Sequence, residues 1–242
     1  GSTLADSVGF FRGGGAATNE DNEVEDLTVR LDNEFHVSNS HDLKFGLGVS
    51  MFNSHYYTAL NDTTQLLALD TKSRQANFYL QDMWSISPNL ELTIGGRGVH
   101  YDKTSKLYLE PRASLMYSLS ERVKLKGAWG HYHQFVNRIS NENVLEGGRD
   151  FWLLADEEMT PNFAEHYIGG ASYETDDFLF DVEGYYKDLD DLLEYTRRVQ
   201  YVFRNGRREE VGRGFFQGQG SAKGIDVLLQ KKRGKLNGWL GY

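Results

Sequence analysis

The stretch FYLQDMWSISPNLELTIGGR, residues 78–97, decides the fold class. Its apolar and polar side chains alternate on both sides of a central Ser-Pro-Asn: Phe78 and Leu80 share one parity before the turn, as Leu92 and Ile94 do after it. Successive side chains of a strand point to opposite faces, so each arm has one apolar and one polar face. The pattern predicts a β-hairpin. It does not tell whether the apolar face meets a protein core or a lipid bilayer.

The composition narrows the classes of protein. Of the 242 residues, 39% are hydrophobic and 25% are charged, and with a mean hydropathy of -0.56 no segment approaches the roughly 18 apolar residues of a membrane helix. A barrel strand needs only about ten residues of alternating hydrophobicity. The 26 Gly, 14 Tyr and 14 Phe favour strands and turns. The net charge of -9 argues against nucleic acid as a partner, and the lack of cysteine excludes disulfides and thiolate metal sites.

About ten alternating runs follow one another, and the lengths of their connections alternate too. The short connections are 39–42, 87–89, 119–122, 174–177 and 233–235, the long ones are 57–73, 137–162 and 191–220, and 102–106 is of medium length. In an up-and-down barrel every second connection lies at the same rim, so short turns collect at one end and long loops at the other. A Greek-key sandwich has no reason to keep this parity. The sequence predicts an all-β protein, an antiparallel up-and-down transmembrane β-barrel, here a partial barrel of about ten strands.

The two faces of these strands differ in charge. One face carries Leu, Ile, Val and Phe; the other carries Arg30, Asp32, Glu34, Lys44, Glu91, Arg97, Glu110, Arg112, Lys124, Lys126, Asp181, Glu183 and Asp226. This division fits a watery lumen and a lipid-facing exterior. A soluble, half-exposed sheet or sandwich remains the alternative, and it predicts a protein that is stable without detergent.

Both ends of the chain look cut. It begins with Gly-Ser, which resembles a tag scar, and stops in the middle of an alternating run. We therefore expect a fragment of a longer protein, with residues 1–23 a loop remnant at the outer side and residues 24–242 the partial barrel.

Several short motifs resemble the barrel of TonB-dependent outer-membrane receptors. They are YLQD (79–82) with Trp84, LELTIGGR (90–97), EPRASL (110–115), GHYHQ (130–134), MTP (159–161) with EHYIGG (165–170), EGYYKD (183–188) and SAKGID (221–226). Each motif alone is weak, but their order and spacing extend over residues 27–242. FWLL (151–154) and VEGYYK (182–187) are similar to receptors of gut-type Bacteroidetes.

The resemblance implies a segment of an active transporter of the bacterial outer membrane. The parent protein would bind a scarce nutrient (a ferric siderophore, haem, cobalamin or glycan) and import it with energy relayed by the TonB–ExbB–ExbD system through a plug domain that this segment lacks. Other expected partners are the lipid bilayer, lipopolysaccharide and the small nutrient ligand. No cofactor, metal site or catalytic residue is expected. The alternative is a ten-stranded outer-membrane barrel enzyme or a passive diffusion channel.

Three long loops, 53–73, 137–162 and 191–220, are expected to face the cell exterior by the family's topology. Guanidinium groups and aromatic rings in two of them could hold an anionic ligand by charge-assisted hydrogen bonds and stacking. The candidate ligand-binding residues are Arg138, Arg149, Phe151, Trp152, Arg197, Arg198, Tyr201, Phe203 and Arg204. Loops that are simply solvated, or that contact lipopolysaccharide phosphates, remain the alternatives.

A few positions do not fit a plain strand pattern. His131 and His133 have a spacing that metals can use, but we expect both to join Trp129 in an aromatic girdle on the lipid side. Pro111 removes a ladder donor, which predicts a bulge or a place near the rim. Asp82 has the apolar parity and is expected close to the short-turn end.

Overall fold

A computed structural model describes residues 2–6, 18–60, 64–141, 149–196, 200–204, 207–211 and 214–242. The regular secondary structure of these residues consists of fifteen strands. In chain order these are β1 Ser2–Asp6, β2 Thr18–Ser38, β3 His41–Leu60, β4 Thr64–Ser87, β5 Leu90–Tyr101, β6 Lys106–Ser118, β7 Val123–Gln134, β8 Val136–Asn141, β9 Arg149–Leu154, β10 Asn162–Glu174, β11 Phe178–Thr196, β12 Gln200–Arg204, β13 Arg207–Val211, β14 Gly214–Lys231 and β15 Gly238–Gly241.

Eleven of these strands make one antiparallel sheet in the order β1-β2-β3-β4-β5-β6-β7-β10-β11-β14-β15. Each strand pairs with its neighbours along the chain, apart from two small hairpins, β8–β9 and β12–β13, which form sheets of their own. The predicted all-β, up-and-down architecture is confirmed. Within the described ranges, no helix has the length and apolar character needed to cross a membrane.

The strands are longer than the sequence pattern predicts. The expected loop 57–73 is mostly strand, because β3 continues to Leu60 and β4 begins at Thr64, with pairing out to Leu60↔Thr64. Residues 189–196, which the sequence pattern places at the start of a long connection, continue β11, with a register shift between Leu189 and Leu192. These segments lack apolar alternation in the sequence. The backbone pairing continues without it.

The described part of residues 1–23 is also strand. β1 pairs with residues Asn22–Asp26 of β2, so the sheet continues across the boundary expected at residue 24. The division of the chain into a loop remnant and a barrel segment stays a prediction.

The two faces of the sheet differ as expected from their charges. We call the face that carries Tyr56 and Glu110 the inner face and the opposite one the outer face. Large apolar side chains are exposed all over the outer face; the most exposed include Val29 at 70%, Leu31 at 62%, Leu47 at 62% and Ile225 at 64%. A soluble protein would bury such a surface, so this face needs an apolar surrounding.

The buried apolar residues lie elsewhere. Among the described residues they form two clusters, one around Tyr56 and Phe151, the other around Val99 and Phe135. Both clusters lie on the inner face, at the end of the sheet away from the short turns, where the β8–β9 hairpin packs against the wall.

Candidate functional site

The β8–β9 hairpin lies against the inner face of the sheet. It contacts β2, β3 and β4 on one side and β11 on the other. These strands are far apart in the sheet order, so one short hairpin can reach both groups only if the sheet is curved around it. The hairpin therefore lies in the concave interior, where a ligand entering from the long-loop end would meet it.

The underside of the hairpin holds it to the wall. Phe151 is fully buried, and its ring stacks on that of Tyr56 with centroids 4.5 Å apart. Phe215 of β14 meets the same ring at 6.2 Å, edge to face. The Ser54 hydroxyl donates a hydrogen bond of 3.1 Å to the carbonyl oxygen of Trp152. Aromatic burial and a hydrogen bond from the Ser54 side chain to the hairpin backbone thus fix this hairpin to β3.

The base of the hairpin is fixed by a second set of contacts. The backbone N–H of Ala155 donates to the carbonyl of Phe135 at 2.9 Å, and the Tyr101 hydroxyl donates to the carbonyl of Ala155 at 2.7 Å. Tyr101 and Phe135 are themselves in ring contact at 4.8 Å. Both chain segments that lead into the hairpin are therefore attached to the end of β5.

The structure divides the candidate ligand-binding residues. Phe151 is in the buried core, so its ring is not presented to a ligand. Arg138 and Trp152 are directly opposite each other on the two strands of the hairpin and share its upper face; Arg138 is exposed and Trp152 half-buried. The side chains of the others, Arg149, Arg197, Arg198, Tyr201, Phe203 and Arg204, lie outside the described residues. Ligand contact at these positions stays a prediction.

A buried carboxylate, Glu110, lies on the inner face where β6 and β7 separate. Glu110 is 1% exposed. It accepts hydrogen bonds from the backbone N–H of His133 at 2.8 Å and from Arg112 Nη2 at 2.9 Å, and Arg97 Nη1 lies 3.9 Å away. The carboxylate takes the place of the β6 backbone partner that His133 lacks, and guanidinium groups neutralise its charge. The sequence placed Glu110 on the polar face but gave no sign of this role.

Pro111 explains where the two strands separate. The β6–β7 ladder ends at Arg112↔Gly130, whereas the β5–β6 ladder continues through Gly96↔Pro111 to the strand end. Neither ladder has a register shift at Pro111, so the expected bulge is wrong, and the rim position stays a prediction. The proline marks the end of one ladder, in line with its missing donor.

More ion pairs line the inner face. Lys126 of β7 donates to Asp181 of β11 at 2.9 and 3.0 Å and pairs with Glu183. Other inner-face contacts are the ion pairs Arg30–Asp32 and Lys44–Glu34 and a hydrogen bond that the Tyr79 hydroxyl donates to Asp32. The inner wall is thus polar and internally paired, as a water-filled interior requires.

The two histidines of β7 have different environments. His131 lies beside Trp129, and both approach Glu165 of β10, at 3.3 Å from His131 Nε2 and 2.7 Å from Trp129 Nε1. The side chain of His133 is 14% exposed, and its ring contacts Tyr108 at 4.9 Å in the gap between β6 and β7. The expectation that both face lipid is wrong for His133, because the separated strands let its ring into the gap. No group of three or more His, Asp or Glu in the described ranges is arranged to hold a metal ion.

Asp82 has a partner on the outer face. His41 Nδ1 lies 2.7 Å from its carboxylate, and the His41 ring stacks on Trp84 at 5.5 Å. His41 is the first residue after the turn at 39–40. The expected place of Asp82, near the short-turn end, is confirmed.

His55 of β3 and Asp70 of β4 form a pair in the part of these two strands that lies beyond the lipid. His55 Nδ1 is 2.5 Å from the carboxylate of Asp70. The hydrogen bond that the protonated His55 ring donates to Asp70 raises the pKa of His55 above its ordinary value of 6.5, and the nearby charges of Asp21 and Glu23 act in the same direction.

Comparison with known proteins gives a consistent result. Residues 2–242 match the family model described as TonB dependent receptor-like, beta-barrel. A search of curated proteins finds no match.

Similar solved structures include three bacterial receptors. The siderophore receptor PirA from Acinetobacter baumannii has a TM-score of 0.57 at 12% identity, with 90% of this chain and 36% of that one covered. The ferric enterobactin receptor of Pseudomonas aeruginosa, as the R480A mutant in complex with enterobactin, gives 0.59 at 14%, with 87% and 34% covered. The ferripyoverdine receptor of the outer membrane of the same species gives 0.60 at 14%, with 90% and 31% covered. The chain spans about a third of the length of these receptors.

Proposed function

The chain belongs to the TonB-dependent receptor-like β-barrel family, and from this we propose that it is the part of an outer-membrane active transporter that binds a scarce nutrient on its way into the cell. Members of this family are receptors of the bacterial outer membrane and not enzymes. A barrel enzyme or a passive channel of ten strands has no support in these relatives.

The observation that carries the proposal is the contrast between the two faces of one sheet. Exposed apolar side chains cover the outer face, while paired charges and a docked hairpin cover the inner face. A wall of this kind separates lipid from a wet interior. The hairpin narrows that interior, so a solute inside would contact protein groups and be selected by them.

The proposal includes the class of the transported nutrient and the energy source of its import. We assign the cargo to the class of ferric siderophores, with haem, cobalamin and glycan as the other candidates, because the similar solved structures are named as siderophore receptors. Import would be driven by TonB, ExbB and ExbD acting through a plug domain of the whole receptor. Lipid and lipopolysaccharide would surround the outer face.

The test uses the whole receptor in its own cells. Deleting its gene is expected to abolish uptake of one radiolabelled nutrient, and a plasmid copy restores it. A strain that lacks TonB should retain binding at the surface but lose uptake, since only the energy source is missing. Unchanged uptake of ferric chelates, haem, cobalamin and glycans in the deletion strain would contradict the proposed function.

A further inference from the structure

The β8–β9 hairpin has two different faces. Cross-strand partners share a face, and the pairs Ile139↔Phe151 and Asn137↔Leu153 are buried to between 0% and 3% exposure. The pair Arg138↔Trp152 lies between them and points to the other side. Directly opposite residues have Cβ atoms only about 5 Å apart. The side chains of Arg138 and Trp152 therefore leave the hairpin side by side, on the face opposite the one that packs against the sheet.

This upper face is held by a well-packed support. The underside contributes Ile139, Phe151 and Leu153 to one buried cluster, and the base contributes Phe135 and Ala155 to the other. Lifting the hairpin would expose both clusters to water. The positions of the two upper residues are thus set before any ligand arrives, which lowers the entropy lost when they bind one.

The chemistry of the pair points to one class of ligand. A guanidinium forms short, charge-assisted hydrogen bonds with anionic oxygens, and a neighbouring indole offers a flat apolar surface for a conjugated ring. A ligand that uses both groups at once is an anion that carries a flat conjugated ring. Ferric catecholates and haem share this chemistry, whereas a ferric trihydroxamate has neither the net charge nor the rings.

We infer that the β8–β9 hairpin is a fixed ledge inside the barrel and that Arg138 and Trp152 form on it a binding site for an anionic ligand that carries a flat conjugated ring. The inference rests on the proposed function, since the ledge is useful only where a solute enters the interior. It differs from a loop that closes over its ligand: the ledge is in place beforehand, and any movement on binding belongs to other segments.

The binding test uses the full-length receptor in detergent with three probes, ferric tris(2,3-dihydroxybenzoate), haem and a neutral ferric trihydroxamate. We expect Arg138→Gln and Trp152→Ala each to weaken binding of a conjugated anion by about tenfold or more, the size of one charge-assisted or stacking contact. Arg138→Lys and Trp152→Phe should recover part of the loss. Arg122→Gln and Trp84→Phe, at the opposite end of the barrel, are the matched controls. The first two probes show which of the two anions is the ligand.

The outcomes separate the site from the function. Unchanged affinity in Arg138→Gln and Trp152→Ala, with a wild-type receptor that binds the anions, overturns the site and leaves the transporter intact. Preference of the wild type for the trihydroxamate, or failure to bind either anion, overturns the ligand class. Loss of binding of all three probes in both variants indicates a misfolded hairpin, and it too counts against a local site.

The fixed position of the ledge has its own measurement. This segment contains no cysteine, so nitroxide labels at Ser140→Cys and Arg122→Cys report the distance between the hairpin and the short-turn end. We expect the distance to stay the same when the probe binds. A shift of more than about 2 Å, the size of a loop rearrangement, would show that the hairpin is a moving lid and overturn the inference.

Discussion

The sheet has two regions, a lipid-facing half near the short turns and an outer end away from them. The same kind of strand places apolar side chains on opposite faces in these two regions. Near the short turns, apolar side chains such as Leu31 and Leu47 are exposed on the outer face, because lipid surrounds them. At the other end, apolar side chains such as Tyr56 and Phe151 are buried on the inner face, under a hairpin. Exposure of apolar surface therefore has a different meaning at each end, and among the described residues only the outer end contains a core in the ordinary sense.

This difference separates two sources of stability. The lipid-facing half depends on the bilayer, since without lipid its outer face would be a large apolar surface in water. The outer end depends on packing between protein segments and should respond to mutation as a soluble core does. Substitutions at the two ends should therefore act independently, because the sites are far apart and share no partners.

The largest effect is expected at the core of the outer end. Phe151→Ala removes a fully buried ring that stacks on Tyr56, and losses of about 3–5 kcal/mol are usual for such a change. Hydrogen exchange of the full receptor should become faster in β8 and β9 and stay the same near the short turns. Phe216→Ala, at a neighbouring ring that is 53% exposed, is the control. Uniformly faster exchange over the whole barrel would contradict the separation of the two ends.

The next effect tests the lipid-facing half. Ile94 is 54% exposed on the outer face, and Ile94→Arg should destabilise the folded state in lipid by roughly 2–4 kcal/mol, the value for a charge near the bilayer midplane. Thr93→Arg places the same side chain on the inner face of the same strand and should have much less effect. Folding into lipid vesicles measures both. Equal effects would mean that the two faces are assigned wrongly.

A smaller effect is expected where the two regions meet. Glu110→Gln keeps the shape of the side chain but weakens its bonds to Arg112 and to the His133 N–H, and a loss of about 1–3 kcal/mol is expected for such a buried group. The His133 amide should lose protection from exchange before its neighbours do. Glu121→Gln, in an exposed turn, serves as the control. If both variants have the same urea midpoint, the carboxylate does not hold the two strands together.

The smallest effect depends on pH. Because the folded pKa of His55 lies above 6.5, its pair with Asp70 stabilises the β3–β4 extension fully below the unfolded pKa, and this stability is lost as pH rises through the folded pKa. The pair is partly exposed, so the change is small and screened by salt. Protection factors, which compare the measured exchange rate with the intrinsic rate at the same pH, should fall for residues 53–58 above neutral pH in the wild type and not in His55→Gln. A pH response that persists in the variant must come from other groups.

The sequence predicts the lipid-facing half of the sheet better than the outer end, for a physical reason. Between lipid and lumen the two sides of a strand differ strongly, so alternation at Leu43–Met51 or Leu90–Arg97 reveals both the strand and its faces. Beyond the lipid, both faces of residues 53–58 are polar or covered by protein, so the pattern vanishes although β3 continues. Phe151 shows the limit for the site: an aromatic residue in a long connection looks the same whether it meets a ligand or a core. Only tertiary contacts separate it from Trp152, its neighbour on the opposite face.

The length of the β3–β4 pair has a practical consequence for detection. β4 has 24 residues and, at about 3.3 Å per residue, is far longer than a lipid-facing band of about 25 Å requires, even when tilted. Together with β2, which pairs with β3 as far as Thr18↔Leu60, these strands continue beyond the bilayer as one ribbon. An antibody fragment raised against the outer face of this ribbon should label the receptor on intact cells while leaving the entrance open. Surface abundance and nutrient uptake could then be measured on the same cells.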